Sequence, residues 1–230
     1  MVAQSSPDSS RSQTLDRGLT ALNLVATSPA ALTIDEVADQ LNLGRSVTYR
    51  IIRTLEDHRL VVRDASGRLA GGTQLVVLAG GVRAEMNAIA KPVLTDLANS
   101  LGMTSFLVVP DNQEAATVQV AEPTGTAAHV AYRPGTRHPL DRGAPGIALL
   151  AGRGPQPNER EEGTATRNLG WAYSEGEVIE GMASIAAPVT TSDGETRAAL
   201  AVVHLALSLN SKEVAPLVIS AAKSLALKLS

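Results

Sequence analysis

The chain has no cysteine, which excludes disulfide bonds, thiolate nucleophiles and cysteine-ligated metal sites. Aromatic residues make up only 2% of its 230 residues, so any packed core must consist mainly of Ala, Val, Leu and Ile. No apolar run reaches the roughly 18 residues of a membrane-spanning helix, and the polar start of the chain lacks the apolar stretch of a signal peptide. We therefore predict a cytoplasmic protein that has no membrane partner and needs no metal or other cofactor.

Patterns of catalytic residues are also missing. The four histidines are scattered, and the chain contains no HExxH, GxSxG or P-loop motif. Ser184, Asp193 and His204 supply the residue types of a catalytic triad, but a chain of this size offers such a set by chance. An enzyme is therefore the least favoured interpretation.

Positive charge is local rather than global. The whole chain has a formal net charge of −3, yet residues 45–68 contain six arginines against Glu56, Asp57 and Asp64. Because salt screens charges beyond about 10 Å, a local patch is sufficient to attract phosphates. This distribution predicts nucleic-acid binding by one short segment.

That segment has the pattern of a helix-turn-helix. Thr33 and Glu36 form a capping box that starts one helix, and the turn 42–44 (Asn-Leu-Gly) ends it. A second helix, from about Arg45 to His58, has an aliphatic face and a polar face. The aliphatic face consists of Val47, Ile51, Ile52 and Leu55, and the polar face of Ser46, Tyr49, Arg50 and Arg53.

A hairpin follows the second helix directly. Residues 60–63 and 68–70 are predicted strands around the turn 64–67, and Leu32-Thr33 is a candidate third strand. A hairpin in this place is typical of the wing of a winged helix, which contacts phosphates beside the groove that the helix enters.

We predict four segments. Residues 1–12 form a disordered tail, 13–72 a winged helix-turn-helix, 73–90 a linker helix with either a kink or a close helix approach at Gly80-Gly81, and 91–230 an α+β domain. The first helix is expected at 14–27, with Leu15, Leu19, Leu22 and Ala26 on one side.

The α+β domain combines helices with an antiparallel sheet. Its predicted helices are 92–101, 143–151 and 211–229, the last starting with a capping box of Asn210 and Glu213. Its predicted strands are 103–109, 115–121, 127–132, 184–189 and 197–207, and a loop is expected at 152–168.

Several segments resemble the IclR family of bacterial transcriptional regulators. They are residues 15–19 (LDRGL), 33–55, 132–140 (YRPGTRHPL), 143–150 (GAPGIALL) and 181–188 (GMASIAAP). The resemblance covers roughly residues 12–230. It implies a winged helix, a linker helix and a GAF-like effector domain with an antiparallel sheet, in a homodimer or homotetramer that binds double-stranded operator DNA and a small organic effector.

Carried over by position, the resemblance implies seven DNA-binding residues. They are Arg17, Arg45, Ser46, Thr48, Tyr49, Arg50 and, on the wing, Arg68. For Tyr49 a place at the edge of the core remains an alternative. Arg53 and Arg59 are more often solvated or ion-paired than base-contacting.

The effector site carries over less well. The family pattern together with the few aromatic residues gives the candidates Phe106, Tyr132, Ala144, Pro145, Gly146, Trp171, Ser174, Ser184, Ala201 and Val203, with Tyr173 as a further aromatic. Ala201 and Val203 are apolar where members that bind small carboxylic acids have serine. We therefore expect a larger or more apolar effector, although core filling is an alternative role for Phe106 and Trp171. A DNA-binding dimer with a degenerate, ligand-free C-terminal domain is the alternative function.

Overall fold

A computed structural model describes residues 12–126, 129–156, 159–206 and 210–230. The chain forms two compact units, one ending at Val82 and the other beginning at Arg83. Among the described residues, no helix has the length and hydropathy needed to cross a membrane. The predicted tail 1–12 lies outside the described residues, except for Ser12.

The first unit is a winged helix-turn-helix. Its elements are α1 (Gln13–Thr27), α2 (Ile34–Gln40), α3 (Arg45–Asp57), β1 (Val61–Arg63), β2 (Leu69–Gly71) and α4 (Gln74–Gly80). Strands β1 and β2 pair in an antiparallel hairpin, and Leu32 adds an isolated bridge to Leu69, as the sequence predicts.

Local chemistry explains the helix-turn-helix. The backbone N–H of Thr33 donates to the Glu36 carboxylate at 2.6 Å, and the Glu36 N–H donates to the Thr33 hydroxyl at 3.2 Å. This is the predicted capping box. The turn then uses Asn42 in a left-handed conformation (φ 51°), which asparagine tolerates better than most residues.

Helix α1 packs differently from the prediction. Its buried residues are Ala21 and Val25, whereas Leu15 and Leu19 are 61% and 52% exposed. The predicted leucine stripe is therefore wrong for the first half of the helix. Ala21 lies in the core cluster with side chains of α3 and the wing, and its small size permits a close approach there.

The predicted linker helix is two helices. Helix α4 ends at Gly80, and α5 (Ala84–Leu101) begins after Arg83, which has a left-handed φ of 47°. The adjacent glycines have low helix propensity, which explains the break. In contrast, α5 continues through Pro92, where the sequence predicted a boundary.

The second unit is an α+β domain built on six antiparallel strands. After α5 come β3 (Thr104–Asp111), β4 (Glu114–Ala121), β5 (Arg137–Pro139), α6 (Gly143–Gly152), α7 (Glu161–Leu169), β6 (Ala172–Glu175), β7 (Met182–Thr190), β8 (Thr196–Leu205) and α8 (Ser211–Leu229). The strand order is β5-β4-β3-β8-β7-β6. The strands predicted at 103–109, 115–121, 184–189 and 197–207 correspond to β3, β4, β7 and β8, which pair as the antiparallel hairpins β3–β4 and β7–β8.

The sheet has a separate apolar core on each face. Leu107 and Leu200 belong to a cluster with α5 and α8, whereas their neighbours Phe106 and Ala201 belong to a cluster with α6. This alternation follows from the two-residue period of a strand. Ala, Val, Leu and Ile make up most of both cores, as the shortage of aromatic residues predicted.

Three local predictions in this domain are wrong. The predicted loop 152–168 contains most of α7, whose buried residues Gly163 and Thr166 give no apolar stripe that a pattern search would find. The predicted strand 127–132 is irregular from 129 onward, and its first two residues lie outside the described ones. Asn210 caps α8 alone, by accepting from the N–H of Lys212, rather than in a capping box with Glu213.

Candidate DNA-binding surface and effector cavity

One face of α3 is polar and exposed. Arg45, Ser46, Tyr49 and Arg50 line a shallow surface depression, and Tyr49 is 46% exposed. The opposite face of the helix is buried through Ile51, Ile52 and Leu55. The aliphatic face therefore fixes α3 in the domain and leaves the hydroxyl and guanidinium groups in solvent.

Thr48 is not part of this exposed face. Its side chain is fully buried, and its hydroxyl donates to the carbonyl of Gly44 at 3.3 Å. Positions 48, 51, 52 and 55 have the spacing of a single helical face, so Thr48 lies on the core side. The prediction that Thr48 contacts DNA is therefore wrong for this conformation of the domain.

Arg17 and Arg50 line the same groove, although they come from different helices. The groove lies between α1 and α3, and its other lining residues are Thr14, Val47, Ile51 and Thr54. Arg17 is half-buried there. The structure thus brings together two of the arginines that the sequence selected separately.

Ion pairs within the domain neutralise half of the six arginines in residues 45–68. Three arginines pair with carboxylates: Arg45 with Asp35 at 3.0 Å, Arg63 with Glu56 at 2.8 Å, and Arg68 with Glu36 at 3.4 Å. The other three, Arg50, Arg53 and Arg59, have no ion pair within the described part of the chain. The pairing of Arg45, Arg63 and Arg68 reduces the free positive charge that the sequence count suggested.

The wing carries two arginines that contact their own domain, and of these only Arg68 was predicted to bind DNA. The guanidinium of Arg68 points into its own domain, where it donates to the carbonyl of Ala31 at 2.8 Å. Arg63, which the sequence analysis did not select, lies on β1 beside the polar side of α3. Its hydrogen bond to Glu56 raises the pKa of the Arg63 guanidinium, and the nearby Tyr49 adds to this effect. The position of Arg63 at the end of a strand was visible in the sequence.

The second unit contains a small cavity between the sheet and the start of α6. Its volume is about 30 Å³, enough for one or two water molecules. It is lined by Phe106, Tyr132, His138, Gly143, Pro145, Ser174, Glu177, Val178, Ile179, Met182, Ala183, Ser184 and Val203. The aromatic rings of Phe106 and Tyr132 are tilted by 31° with centroids 4.5 Å apart, and burial raises the pKa of the Tyr132 hydroxyl.

Six of the ten predicted effector residues line this cavity. They are Phe106, Tyr132, Pro145, Ser174, Ser184 and Val203. Strand pairing places three of them in one row, because Ser184 is the partner of both Ser174 on β6 and Val203 on β8.

The other four predicted residues have structural positions. Ala144 and Ala201 are fully buried in the adjacent core, and Gly146 packs so closely on Leu140 that a Cβ would overlap its carbonyl oxygen. Trp171 packs with the core on the opposite face of the sheet, so its assignment to the effector site is wrong. Tyr173 lies on that opposite face too.

The first N–H groups of α6 donate to side chains of the same domain. The N–H of Gly143 donates to the Glu177 carboxylate at 2.8 Å, and the N–H of Ala144 donates to the Ser174 hydroxyl at 2.7 Å. Arg160 donates to both oxygens of Glu177, at 2.8 and 2.9 Å. The Arg160 guanidinium holds the pKa of the Glu177 carboxyl below its usual range, and the Gly143 N–H contributes to the same shift.

Sequence reasoning missed the wall formed by His138 and the segment 177–182. Glu177 and Val178 follow Ser174 closely, so the charged turn after β6 was the sequence feature that could have identified this part of the wall. His138 is brought to the cavity by the pairing of β5 with β4, which the sequence analysis did not predict.

The fold and the exposed face of α3 define a two-domain winged helix-turn-helix regulator. Two family models match the chain: the IclR helix-turn-helix domain at residues 14–65, and the bacterial transcriptional regulator IclR C-terminal domain at residues 159–230. Together they match more than half of the chain. The protein belongs to the IclR family of DNA-binding bacterial transcriptional regulators.

Individual relatives agree with this assignment. The chain is 27% identical to the uncharacterized HTH-type transcriptional regulator RhmR of Escherichia coli K12, over 89% of this chain and 87% of that protein. An IclR transcriptional regulator from Alicyclobacillus acidocaldarius has a TM-score of 0.78 at 22% identity, covering 94% and 98% of the two chains. An IclR homolog from Microbacterium hydrocarbonoxydans, solved in complex with 4-hydroxybenzoate, has a TM-score of 0.77 at 20% identity, covering 95% and 100%. These structures confirm the two-domain α+β fold.

Proposed function

We propose that this regulator binds a specific operator through α3, and that a small organic effector in the C-terminal cavity changes operator occupancy. The observation that supports DNA recognition most directly is the exposed face of α3, where Ser46, Tyr49 and Arg50 stand opposite a buried aliphatic stripe. A helix held in this way can enter a major groove without disturbing its own core.

Each residue on this surface has a proposed contact. Arg50 has no ion pair within the described residues and is free to donate two hydrogen bonds to a guanine, the commonest specific arginine contact. Ser46 and Tyr49 supply hydroxyls to bases or phosphates. The Arg45 guanidinium donates to the same groups after leaving Asp35, with which it forms an exposed ion pair. Arg17, beside Arg50 in the groove between α1 and α3, is proposed to contact a phosphate.

A homodimer is the proposed assembly. Within the described residues, no side chain of α4 is fully buried. Leu75 is half-buried, whereas Val76, Val77 and Leu78 are 74%, 67% and 56% exposed. A second copy that packed against α4 would remove these exposed apolar side chains from water. Two α3 helices would then reach successive major grooves about 34 Å apart, which predicts a pseudo-palindromic operator. Pairing of two such dimers would give the homotetramer.

The effector is proposed to occupy the cavity beside α6. Its apolar wall contains the Phe106–Tyr132 pair, and the related Microbacterium protein binds 4-hydroxybenzoate, an aromatic compound. An effector changes DNA occupancy only through different affinities for the DNA-competent and DNA-incompetent arrangements. The proposal therefore requires that operator DNA and effector alter each other's affinity.

Two experiments test these parts separately. Sequencing the DNA fragments retained by the purified full chain should yield one enriched pseudo-palindromic site, whereas uniform retention of all fragments would contradict specific recognition. A thermal-shift screen should find stabilisation by aromatic compounds rather than by glyoxylate- or pyruvate-like acids. Since the proposed partner is chromosomal DNA, the expected location remains the cytoplasm.

The small volume of the cavity favours a second candidate function. At about 30 Å³ the cavity does not accommodate an aromatic ring without movement of its walls. A ligand-free dimer that occupies DNA constitutively would have such a cavity. In that case no compound in the screen would change either the melting temperature or the operator affinity.

A further inference from the structure

His138 places an unused hydrogen-bond acceptor in the wall of the C-terminal cavity. Its side chain is 95% buried (5% exposed), and Nδ1 lies 3.0 Å from the carbonyl oxygen of Pro139. A carbonyl oxygen only accepts, so this contact selects the tautomer with the proton on Nδ1, in which Nε2 presents a lone pair. Within the described residues this Nε2 has no hydrogen-bond partner.

An unpaired buried acceptor points to a donor that is supplied from outside the chain. Leaving a buried polar atom without a partner is unfavourable, and such atoms are rare in native proteins. The side chains that share the cavity wall with His138 are largely apolar, and they include Phe106, Val178 and Met182. A ligand that satisfies this site therefore combines an apolar body with a hydroxyl donor.

The same cavity offers an anionic ligand few free donors. The first two N–H groups of α6 already bind the carboxylate of Glu177 and the hydroxyl of Ser174, and the third residue, Pro145, has no N–H. The position at a helix N-terminus that favours an anion is thus filled by Glu177, and Arg160 holds this carboxylate in place. A ligand carboxylate would meet a negative charge with few donors left to neutralise it.

We propose that the cavity binds a small uncharged phenol, whose ring lies against Phe106 and Tyr132 and whose hydroxyl donates to Nε2 of His138. This assignment rests on the proposed role of the cavity as the effector site. The ligand enters where the wall meets solvent, at Val178 and Ile179, which are 39% and 38% exposed. These two side chains move outward to make room for the ring.

Four probes, titrated calorimetrically into the full chain, test separately the charge of the ligand and its hydroxyl donor. 4-Hydroxybenzyl alcohol and 4-hydroxybenzoate share a phenol and differ in charge. 4-Methylphenol and 4-methylanisole share a ring and differ in the hydroxyl donor. We expect the alcohol to bind at least about tenfold more tightly than the acid, and the phenol about tenfold more tightly than its methyl ether.

Variants connect each preference to one residue. His138→Phe keeps a ring of similar size but removes the acceptor, so it should abolish the preference for 4-methylphenol over 4-methylanisole. Glu177→Gln should reduce the preference for the alcohol over the acid, whereas Glu180→Gln, at an exposed carboxylate in the same turn, should leave it unchanged. Glu177 and Glu180 are accessible to solvent, so these variants keep the test possible if His138→Phe does not fold.

The outcomes separate this inference from the proposed function. Tighter binding of 4-hydroxybenzoate than of the alcohol, or equal binding of the phenol and its ether, would overturn the assignment and leave the effector role standing. Absence of binding by all four probes would overturn both. If the cavity holds only water, none of the four probes would bind.

Discussion

The guanidinium of Arg68 donates a hydrogen bond to the backbone carbonyl of Ala31, 2.8 Å away and 37 residues earlier in the chain. The same guanidinium lies 3.4 Å from the Glu36 carboxylate of the capping box. Arg68 therefore ties the wing to the start of α2.

Replacement of Arg68 by alanine is expected to destabilise the N-terminal domain by about 1 kcal/mol, the typical net value of one hydrogen bond. Urea denaturation followed by circular dichroism measures this change. The matched control is Arg53→Ala, since Arg53 is exposed and unpaired within the described residues. Equal stability of the two variants would show that Arg68 does not hold the wing.

Gly146 is expected to tolerate no side chain. A Cβ at this position would overlap the carbonyl oxygen of Leu140, because α6 crosses that backbone closely. Gly146→Ala should lower the free energy of unfolding by about 1–3 kcal/mol. Gly163→Ala is the control, since its Cβ would meet Glu159 only at ordinary contact distance. It should be neutral or stabilising by up to about 1 kcal/mol, and a similar loss in both variants would refute the packing argument.

The exposed face of α4 is expected to mediate self-association. Val77→Asp would place an unpaired carboxylate in the proposed interface, which should weaken the dimer about 100-fold or more. Sedimentation equilibrium at micromolar protein concentration detects the change. Val62→Asp, at a similarly exposed valine of the wing, should leave the dimer intact. Unaltered association of the Val77 variant would remove α4 from the interface.

The contribution of Glu177 to stability should depend on pH. Arg160 lowers the folded-state pKa of Glu177, so this contribution is fully present above the unfolded-state pKa of about 4.3. It is lost as the pH falls through the lower folded-state value. Glu177→Gln should therefore reduce stability at pH 7 and flatten its decline in acid.

Urea denaturation between pH 7 and pH 3 measures the acid dependence of Glu177→Gln. Glu180→Gln is the control, and it should retain the slope of the unmodified protein. Parallel acid profiles of the Glu177 variant and the unmodified protein would argue against a stabilising Arg160–Glu177 pair.

Features determined by neighbouring residues could be predicted from the sequence. The capping box of Thr33 and Glu36, the buried stripe of α3 and the wing hairpin around the turn 64–67 each depend on a few adjacent side chains. Helix α7 could not be predicted in this way. Its buried side is made of Gly163 and Thr166 and is therefore not marked by hydrophobic residues.

The cavity was predictable only in part, because its walls depend on register and on long-range pairing. A shift of one residue along a strand changes the face of the sheet, and this places Trp171 and Tyr173 opposite the cavity that Ser174 lines. The contact between Glu177 and the start of α6 joins residues 34 positions apart. The pattern of the sequence contains no information on such a contact.

The central claim is that the polar face of α3 lies in a DNA groove. Thr48 and Arg50 provide a matched test, since both were predicted to contact DNA but only Arg50 is exposed in the structure. Fluorescence anisotropy with the enriched operator fragment, at fixed salt, measures the affinity of Arg50→Ala and Thr48→Val. The account predicts a loss of about 10- to 100-fold for Arg50→Ala and a change below about twofold for Thr48→Val. Undiminished specific binding by a folded Arg50→Ala protein would contradict it.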